Sequence, residues 1–135
     1  MAYHILVIED DVNIQGFAKT VLKSAGYEPQ IVSTAAEARR AFQSAKPDMV
    51  LVDIGLPDGN GLDLVKELGL GPDGDIPFLF LTALHNIKTR LECFRLGAVD
   101  YISKPFAVEE LLARVQAHLK TKRSHDDLAR RNYEL

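Results

Sequence analysis

Residues 49–61, with the sequence MVLVDIGLPDGNG, place an apolar run directly before a segment of turn-forming residues. The run from Met49 to Val52 predicts a buried strand, and the glycines and proline that follow Asp53 predict a loop. Asp53 is therefore expected at the C-terminal end of the strand, with its carboxylate facing that loop.

Three other segments repeat this layout, in which an apolar strand ends in polar groups: residues 7–11 (VIEDD), 80–83 (FLTA) and 101–106 (YISKPF). If the strands are parallel, all four ends lie on one edge of the sheet, which is where open α/β folds keep their binding sites. The sequence thus predicts that acids, a hydroxyl group and a lysine meet at one place.

Short apolar runs alternate with helical patterns five times along the chain. This alternation favours an α/β fold with a doubly wound parallel sheet that helices cover on both faces. The predicted strands lie near residues 4–9, 28–33, 48–53, 77–82 and 100–103. A chain of 135 residues, of which 47% are hydrophobic, has the size of one such domain.

Capping residues mark several predicted helix ends. The first and fourth helical patterns stop at Gly26 and Gly97, the residue type that most often takes the left-handed conformation after a helix. Thr34 and Glu37 have the spacing of a capping box at the start of the second helix. The last helix is expected to begin near Val108.

Composition argues against several classes of protein. The net charge of −3 does not indicate a nucleic-acid-binding surface. The single cysteine, Cys93, rules out an internal disulfide framework, and no Cys/His spacing resembles a zinc site. The sequence shows no basic leader and no apolar stretch of membrane-spanning length. We therefore expect a cytoplasmic protein that binds neither membranes nor, through this domain, nucleic acids directly.

Glu9, Asp10 and Asp53 would form a cluster of three carboxylates at the shared sheet edge. Two such charges about 4 Å apart repel by about 4 kcal/mol at an effective dielectric constant near 20, so the cluster must raise its pKa values or bind a cation. Oxygen ligands with open positions suit Mg²⁺. With the positive charge of Lys104 and the hydroxyl of Thr82 nearby, the pocket would suit a phosphoryl group and leave one acid as nucleophile.

Four motifs, in order and on the expected elements, carry a resemblance to a known family: residues 5–11 (ILVIEDD), 53–61 (DIGLPDGNG), 82–83 (TA) and 100–106 (DYISKPF). Over roughly residues 4–122 the chain resembles the receiver domain of response regulators in bacterial two-component signalling. The resemblance implies a flavodoxin-like fold with five helices and strand order 2-1-3-4-5. It also implies a phosphorylation-activated switch that takes up and loses its own phosphoryl group, and not a turnover enzyme by itself.

The resemblance assigns a role to each acid. Asp53 would accept the phosphoryl group from the phosphohistidine of a histidine kinase or a phosphotransfer protein. Asp10, Asp53 and the backbone carbonyl of Gly55 would bind Mg²⁺, with Glu9 reaching the ion mainly through water. Glu9 stands where aspartate is also common, which should keep metal binding and alter its geometry. Gly55 and Leu84 occupy the two variable positions that tune dephosphorylation, so the lifetime of the phosphorylated state is open.

The remaining site residues would bind the phosphoryl oxygens and transmit the signal. Thr82 and Lys104 would hold those oxygens, and Ala83 would offer its backbone N–H. The peptide bond before Pro105 would be cis. Tyr101 would turn inward when Thr82 moves toward the phosphoryl group, and the face formed by the fourth helix, the fifth strand and the fifth helix would shift between two existing arrangements.

Each of these residues also has an ordinary structural interpretation. Thr82 would cap the fourth helix, Lys104 would be a solvated loop residue, and Tyr101 would be a half-buried aromatic residue of an edge strand without a switching role. Asp11 is interpreted as a structural residue near a helix start, and Asp58 as a structural residue in a turn.

The face formed by the fourth helix, the fifth strand and the fifth helix would also suit a homodimer, because its charges are mixed and a symmetric interface pairs them. These charged residues are Lys88, Arg90, Arg95, Asp100, Glu109, Glu110 and Arg114. Val99 stands where many DNA-binding response regulators have a second acid, which weakens the analogy with those proteins.

Residues 121–135 continue the last helical pattern, and we interpret them as a helical linker that follows a receiver domain of residues 1–120. Leu112 and Leu119 are seven residues apart, as are Leu128 and Leu135, but the interval between the two pairs breaks the heptad. We expect the linker to lead to an output domain that is missing from this chain. Its basic residues, with acidic neighbours, indicate a solvated helix.

Alternatives from other classes are a receiver-like interaction module that works without phosphorylation and a receiver domain excised from a hybrid histidine kinase. A third is an Asp-nucleophile hydrolase or a flavin-binding α/β domain. The presence of Asp53, Thr82 and Lys104 argues against the first. Against the third, no second acid follows Asp53 at the two-residue spacing of haloacid-dehalogenase-like phosphatases, and the first βα turn is acidic where a phosphate cradle would be glycine-rich.

Overall fold

The structure is a computed structural model that describes residues 2–72, 74–83 and 87–134, with side chains described up to residue 122. Its main sheet has five parallel strands in the order β2-β1-β3-β4-β5. The strands are β1 (His4–Ile8), β2 (Glu28–Val32), β3 (Met49–Asp53), β4 (Phe78–Thr82) and β5 (Asp100–Ser103). The predicted fold class and strand order are confirmed, and each predicted strand lies within one residue of the observed bounds.

The helices of the described residues alternate with these strands. They are α1 (Val12–Ser24), α2 (Ala35–Ser44), α3 (Gly61–Glu67), α4 (Ile87–Arg95) and α5 (Val108–Glu134). Between β3 and α3 the chain forms a small antiparallel hairpin, in which Gly55–Leu56 pairs with Gly59–Asn60. The sequence predicted only a loop there, because two-residue strands are too short to show an alternating pattern.

The helix ends follow the predicted caps. Gly26 and Gly97 have φ values of 90° and 101°, which a glycine adopts without steric cost. Asp11 caps α1 by accepting hydrogen bonds from two backbone N–H groups of the first turn, and Thr34 caps α2 by accepting one from Glu37 at 3.1 Å. Local chemistry therefore sets the helix boundaries on both sides of the sheet.

The two faces of the sheet carry separate apolar cores. Val50 and Val52 of β3 pack beneath α2, α3 and α4, whereas Met49 and Leu51 pack beneath α1 and α5. Every residue of β3 is buried. A strand that is enclosed on both faces gives the residue at its end, Asp53, a fixed backbone position.

Helix α5 packs on the sheet through Leu111, Val115 and Leu119, which are all buried. It then continues without a break to Glu134. The predicted domain boundary at residues 120 and 121 falls within this helix and stays a prediction, and the side chains of Leu128 and Leu135 lie outside the described residues. Within the described part of the chain, no helix is both long enough and apolar enough to cross a membrane.

Candidate functional site

The C-terminal edge of the sheet brings together the polar residues that follow its strands. Asp53 ends β3 and Thr82 ends β4, while Glu9 and Lys104 directly follow β1 and β5. Glu9, Asp53 and Thr82 are all buried, with exposed fractions of 0%, 7% and 1%. Because parallel strands end on the same side, residues that are far apart in sequence meet here.

The three predicted acids form one cluster. Glu9, Asp10 and Asp53 can each supply a carboxylate oxygen such that the three atoms lie within 4.8 Å of one another. Asp10 is exposed at the rim, whereas the other two are buried. The donor set consists of oxygen atoms with one open side, which fits a hard divalent cation such as Mg²⁺.

Lys104 lies between two of these acids. Its Nζ is 2.5 Å from Oε1 of Glu9 and 3.1 Å from Oδ2 of Asp53. Its backbone N–H donates to the carbonyl of Thr82 at 2.8 Å, so the ladder between β4 and β5 continues past the strand ends. The peptide bond between Lys104 and Pro105 is cis, the isomer that the resemblance implies.

Burial is the largest influence on the pKa values of Glu9 and Lys104. It raises the pKa of Glu9 to about 7, against the opposing effect of the hydrogen bond from Lys104, and nearby Asp53 raises that pKa further. Burial alone would lower the pKa of Lys104, but hydrogen bonds and attraction from Glu9 and Asp53 outweigh it and raise the pKa. The single positive charge of Lys104 does not balance three carboxylates, and a bound metal cation would supply the missing positive charge.

The backbone around Asp53 is tightly closed. The N–H of Gly55 donates to Oδ1 of Asp53 at 3.2 Å, and the N–H of Gly61 donates to the carbonyl of Ile54 at 2.7 Å. A Cβ atom at Gly61 would overlap the backbone oxygen of Asp53 and lie 2.9 Å from Cα of Ile54. Only glycine fits at that position, so the loop after β3 has little freedom.

The predicted switch residues lie on β4 and β5. Thr82 pairs with Ser103 in the sheet register, and Ala83 is exposed beside it, while Leu84 lies outside the described residues. The ring of Tyr101 is already turned inward, with Cζ of Arg90 5.5 Å from its centroid. Burial raises the pKa of Tyr101.

Two residues near the site make contacts that were not predicted. Nε2 of Gln15 donates to the backbone carbonyl of Glu9 at 2.5 Å and to Oγ of Ser33 at 2.8 Å, so it joins the ends of β1 and β2. Asp58 contacts the start of α2. No pattern in the sequence indicates Gln15, whereas an acid in a turn before a glycine, as at Asp58, signals at most a capping residue.

Comparisons with known proteins agree with this geometry. Residues 5–116 match the family described as response regulator receiver domain. The chain is 36% identical over 129 residues to the response regulator MprA of Mycobacterium ulcerans, covering 96% of this chain and 55% of that protein. It is 35% identical over 116 residues to the transcriptional regulatory protein PhoP of Escherichia coli K12, covering 86% and 52%.

A solved structure shows the same fold. The CheY-like response regulator receiver domain protein of Methanospirillum hungatei JF-1 superposes with a TM-score of 0.85 at 27% identity, covering 93% of this chain and 99% of that one. The chain spans about half the length of the curated relatives that it matches. The chain belongs to the family of receiver domains found in two-component response regulators.

Proposed function

We propose that the chain is a phosphorylation-controlled switch in which Asp53 accepts a phosphoryl group from the phosphohistidine of a histidine kinase or a phosphotransfer protein. The observation that carries this proposal is the position of Asp53, which ends a fully buried strand within reach of two other acids and 3.1 Å from Lys104. A lone surface aspartate would have neither the metal ligands nor the cation that phosphoryl transfer needs.

In the transfer step a carboxylate oxygen of Asp53 attacks the phosphorus atom, and the bond between phosphorus and the imidazole nitrogen of the donor breaks. The donor histidine leaves as imidazole and keeps the electron pair of that bond. Asp10, Asp53 and the backbone carbonyl of Gly55 would hold Mg²⁺, with Glu9 reaching it through water. When bound, Mg²⁺ supplies positive charge that offsets the charge of the phosphoryl oxygens.

Lys104 and Thr82 would respond to the new charge. The phosphorylated Asp53 has a carboxyl group that is no longer an anion, so Lys104 gains a stronger partner in the phosphoryl oxygens. The hydroxyl of Thr82 and the backbone N–H of Ala83 would donate to those oxygens. A shift of Thr82 would further stabilise the inward position that the Tyr101 ring already has, and the signal would appear on α4, β5 and α5 as a population shift.

The phosphoryl donor would dock beside the site on an apolar hollow of about 450 Å³. Its walls include Ile14, Phe17, Pro105 and Phe106, and the two phenylalanine rings meet edge to face at 5.9 Å. Val12, at the start of α1 and 78% exposed, extends the apolar surface. An apolar surface next to a reactive carboxylate suits a partner that must bring its histidine to Asp53.

The relatives bear on which part of the protein would respond to the switch. MprA is a response regulator and PhoP is a transcriptional regulatory protein, and the chain spans 55% and 52% of their lengths. We propose that α5 connects the receiver to an output domain of the same protein, with a hybrid histidine kinase as the alternative parent.

Catalysis by this chain would be limited to uptake and loss of the phosphoryl group. A cytoplasmic location is part of the same proposal.

The proposal is tested by intact mass spectrometry after incubation with acetyl phosphate, once with Mg²⁺ and once with a chelator. We expect one added phosphoryl group in Mg²⁺ and none in chelator, and proteolytic mapping should locate it in the peptide that contains Asp53. Early time points guard against rapid hydrolysis. No adduct at any time, together with no binding of beryllofluoride, would contradict the proposal and favour an interaction module that works without phosphorylation.

A homodimer through α4, β5 and α5 is part of the same proposal, and an apolar stripe on α4 supports it. Ile87, Leu91 and Phe94 lie on one face of the helix with exposed fractions of 74%, 56% and 45%. Two of the charged residues predicted for this interface pair with each other within the chain, because Arg114 donates a hydrogen bond to Asp100 at 2.6 Å. The interface would therefore be apolar at its centre, with charges at its rim.

We expect beryllofluoride with Mg²⁺ to convert the monomer into a dimer in sedimentation velocity experiments, and Phe94→Asp to prevent the conversion. A charge in the stripe would have to be desolvated on association, which is costly. Thr20→Asp, at an exposed position of α1 on the other side of the sheet, serves as the control and should still dimerise. A chain that stays monomeric with bound beryllofluoride would remove the dimer from the proposal.

A further inference from the structure

Asp58 joins the hairpin after β3 to the start of α2. Its Oδ1 accepts a hydrogen bond from the backbone N–H of Ala35 at 2.7 Å, and its Oδ2 accepts one from Ala36 at 3.0 Å. Within the residues that the structure describes, the side chain of Thr34, the N-cap residue of α2, accepts from Glu37 alone. Asp58 thus satisfies two donors of the first turn that the helix cannot satisfy by its own cap.

The charge of Asp58 also suits this position. The N–H groups of Ala35 and Ala36 hold the pKa of its carboxyl group below the usual value, and an anion at the N-terminus of a helix is favoured by the helix dipole. Both carboxylate oxygens are used, so the side chain has one orientation. Completing the turn does not require these two hydrogen bonds, which join the Asp58 carboxylate to a separate helix.

The other end of the hairpin is fixed at the phosphoacceptor. Oδ1 of Asp53 accepts from the N–H of Gly55, the first hairpin residue. Gly55 pairs with Asn60 across the hairpin, and Gly61 then donates back to Ile54 at 2.7 Å. The hairpin is therefore held at its base beside Asp53 and at its tip against α2, and the carbonyl of Gly55 lies between these two attachments.

We propose that Asp58 is a positioning residue for the metal site, because by tying the hairpin tip to α2 it fixes the direction of the Gly55 carbonyl. The inference rests on the proposed function, in which that carbonyl binds Mg²⁺. Without Asp58 the hairpin would keep its base contacts and the buried side chain of Leu56, but its tip would lose both hydrogen bonds to α2, and the Gly55 carbonyl would be held less firmly when the ion binds. Groups that orient metal ligands commonly contribute tenfold or more to affinity.

The test is an NMR titration with Mg²⁺ alone, following the backbone amide signals of Asp53 and Gly55. Asp58→Ala should raise the Mg²⁺ dissociation constant by about tenfold, and Asp58→Asn, which keeps one acceptor oxygen, should fall between this variant and the unchanged chain. Asp63→Ala is the matched control, because it removes one exposed acid from the first turn of α3. Its effect should stay within about twofold, since exposed charges are screened by salt.

Amide hydrogen exchange supplies a second readout, because Ala35 and Ala36 should exchange faster in Asp58→Ala than in the control. An unchanged Mg²⁺ dissociation constant in both Asp58 variants, even with lower thermal stability, would reduce Asp58 to a helix cap and overturn the inference. Equal weakening by Asp58→Ala and Asp63→Ala would also overturn it, because charge alone would then explain the effect. A failure of the unchanged chain to bind Mg²⁺ would instead overturn the proposed metal site.

Discussion

Asp53→Asn is expected to abolish phosphoryl uptake from acetyl phosphate and to leave the fold at least as stable as before. The amide is a poor nucleophile, so no adduct can form at this position. The substitution also removes one negative charge from a cluster in which Asp53 helps to raise the pKa of Glu9, while Lys104 keeps its contact with Glu9 at 2.5 Å. Intact mass spectrometry measures the first effect, and urea unfolding in chelator measures the second.

Asp10→Asn is the matched control for Asp53→Asn. It removes the same charge from the same cluster at an exposed position, and it leaves the nucleophile in place. We expect slower uptake that recovers as the Mg²⁺ concentration rises, because a metal ligand is weakened and the reacting oxygen is intact. A phosphoryl group on Asp53→Asn in amounts like those of the unchanged chain would show that another residue is the acceptor.

Lys104→Met is expected to lower the free energy of unfolding by about 3 kcal/mol in chelator, because it leaves buried acids without their cation. Nζ of Lys104 contacts both Glu9 and Asp53, and its side chain is 15% exposed. Methionine keeps much of the volume of the side chain, so the loss reports the charge and not a cavity. Saturating Mg²⁺ should restore part of the stability, since the ion binds the folded acid cluster and not the unfolded chain.

The control for this substitution is Lys19→Met, which removes a positive charge from an exposed position of α1. Its free energy of unfolding should change by less than about 0.5 kcal/mol, and Mg²⁺ should stabilise it as much as it stabilises the unchanged chain. If Lys104→Met unfolded with the same free energy as the control, or if Mg²⁺ gave it no additional stability, the electrostatic account of the cluster would be wrong.

The fold and the composition of the site followed from patterns that are local in the sequence. The apolar runs predict the strands within one residue, and the rule that parallel strands end on one edge of the sheet predicts that Glu9, Asp53 and Lys104 lie close together. The roles of these residues stay predictions. Their close approach at the sheet edge is observed.

Contacts between distant segments could not be predicted in this way. Asp100 is one of the charges predicted for a dimer face, and within the chain it accepts a hydrogen bond from Arg114 at 2.6 Å and lies 3.0 Å from Nε2 of His118. Asp58 lies in a turn, as predicted, but its contact with α2 depends on how two distant segments fold against each other. The position of the Tyr101 ring depends on packing between β5 and α4, which sequence spacing does not encode.

Because α5 is one continuous helix, a tilt at one end displaces the other end. Its first turns are packed on the sheet through Leu111, Val115 and Leu119, and residues 120–134 extend it by about 22 Å at a rise of about 1.5 Å per residue. A tilt of about 10° at the packed end would move the far end by about 4 Å, because a rigid rod of that length converts angle into displacement. A small tilt of α5 where it packs on the sheet would thus produce a larger displacement at the C-terminal end of the helix.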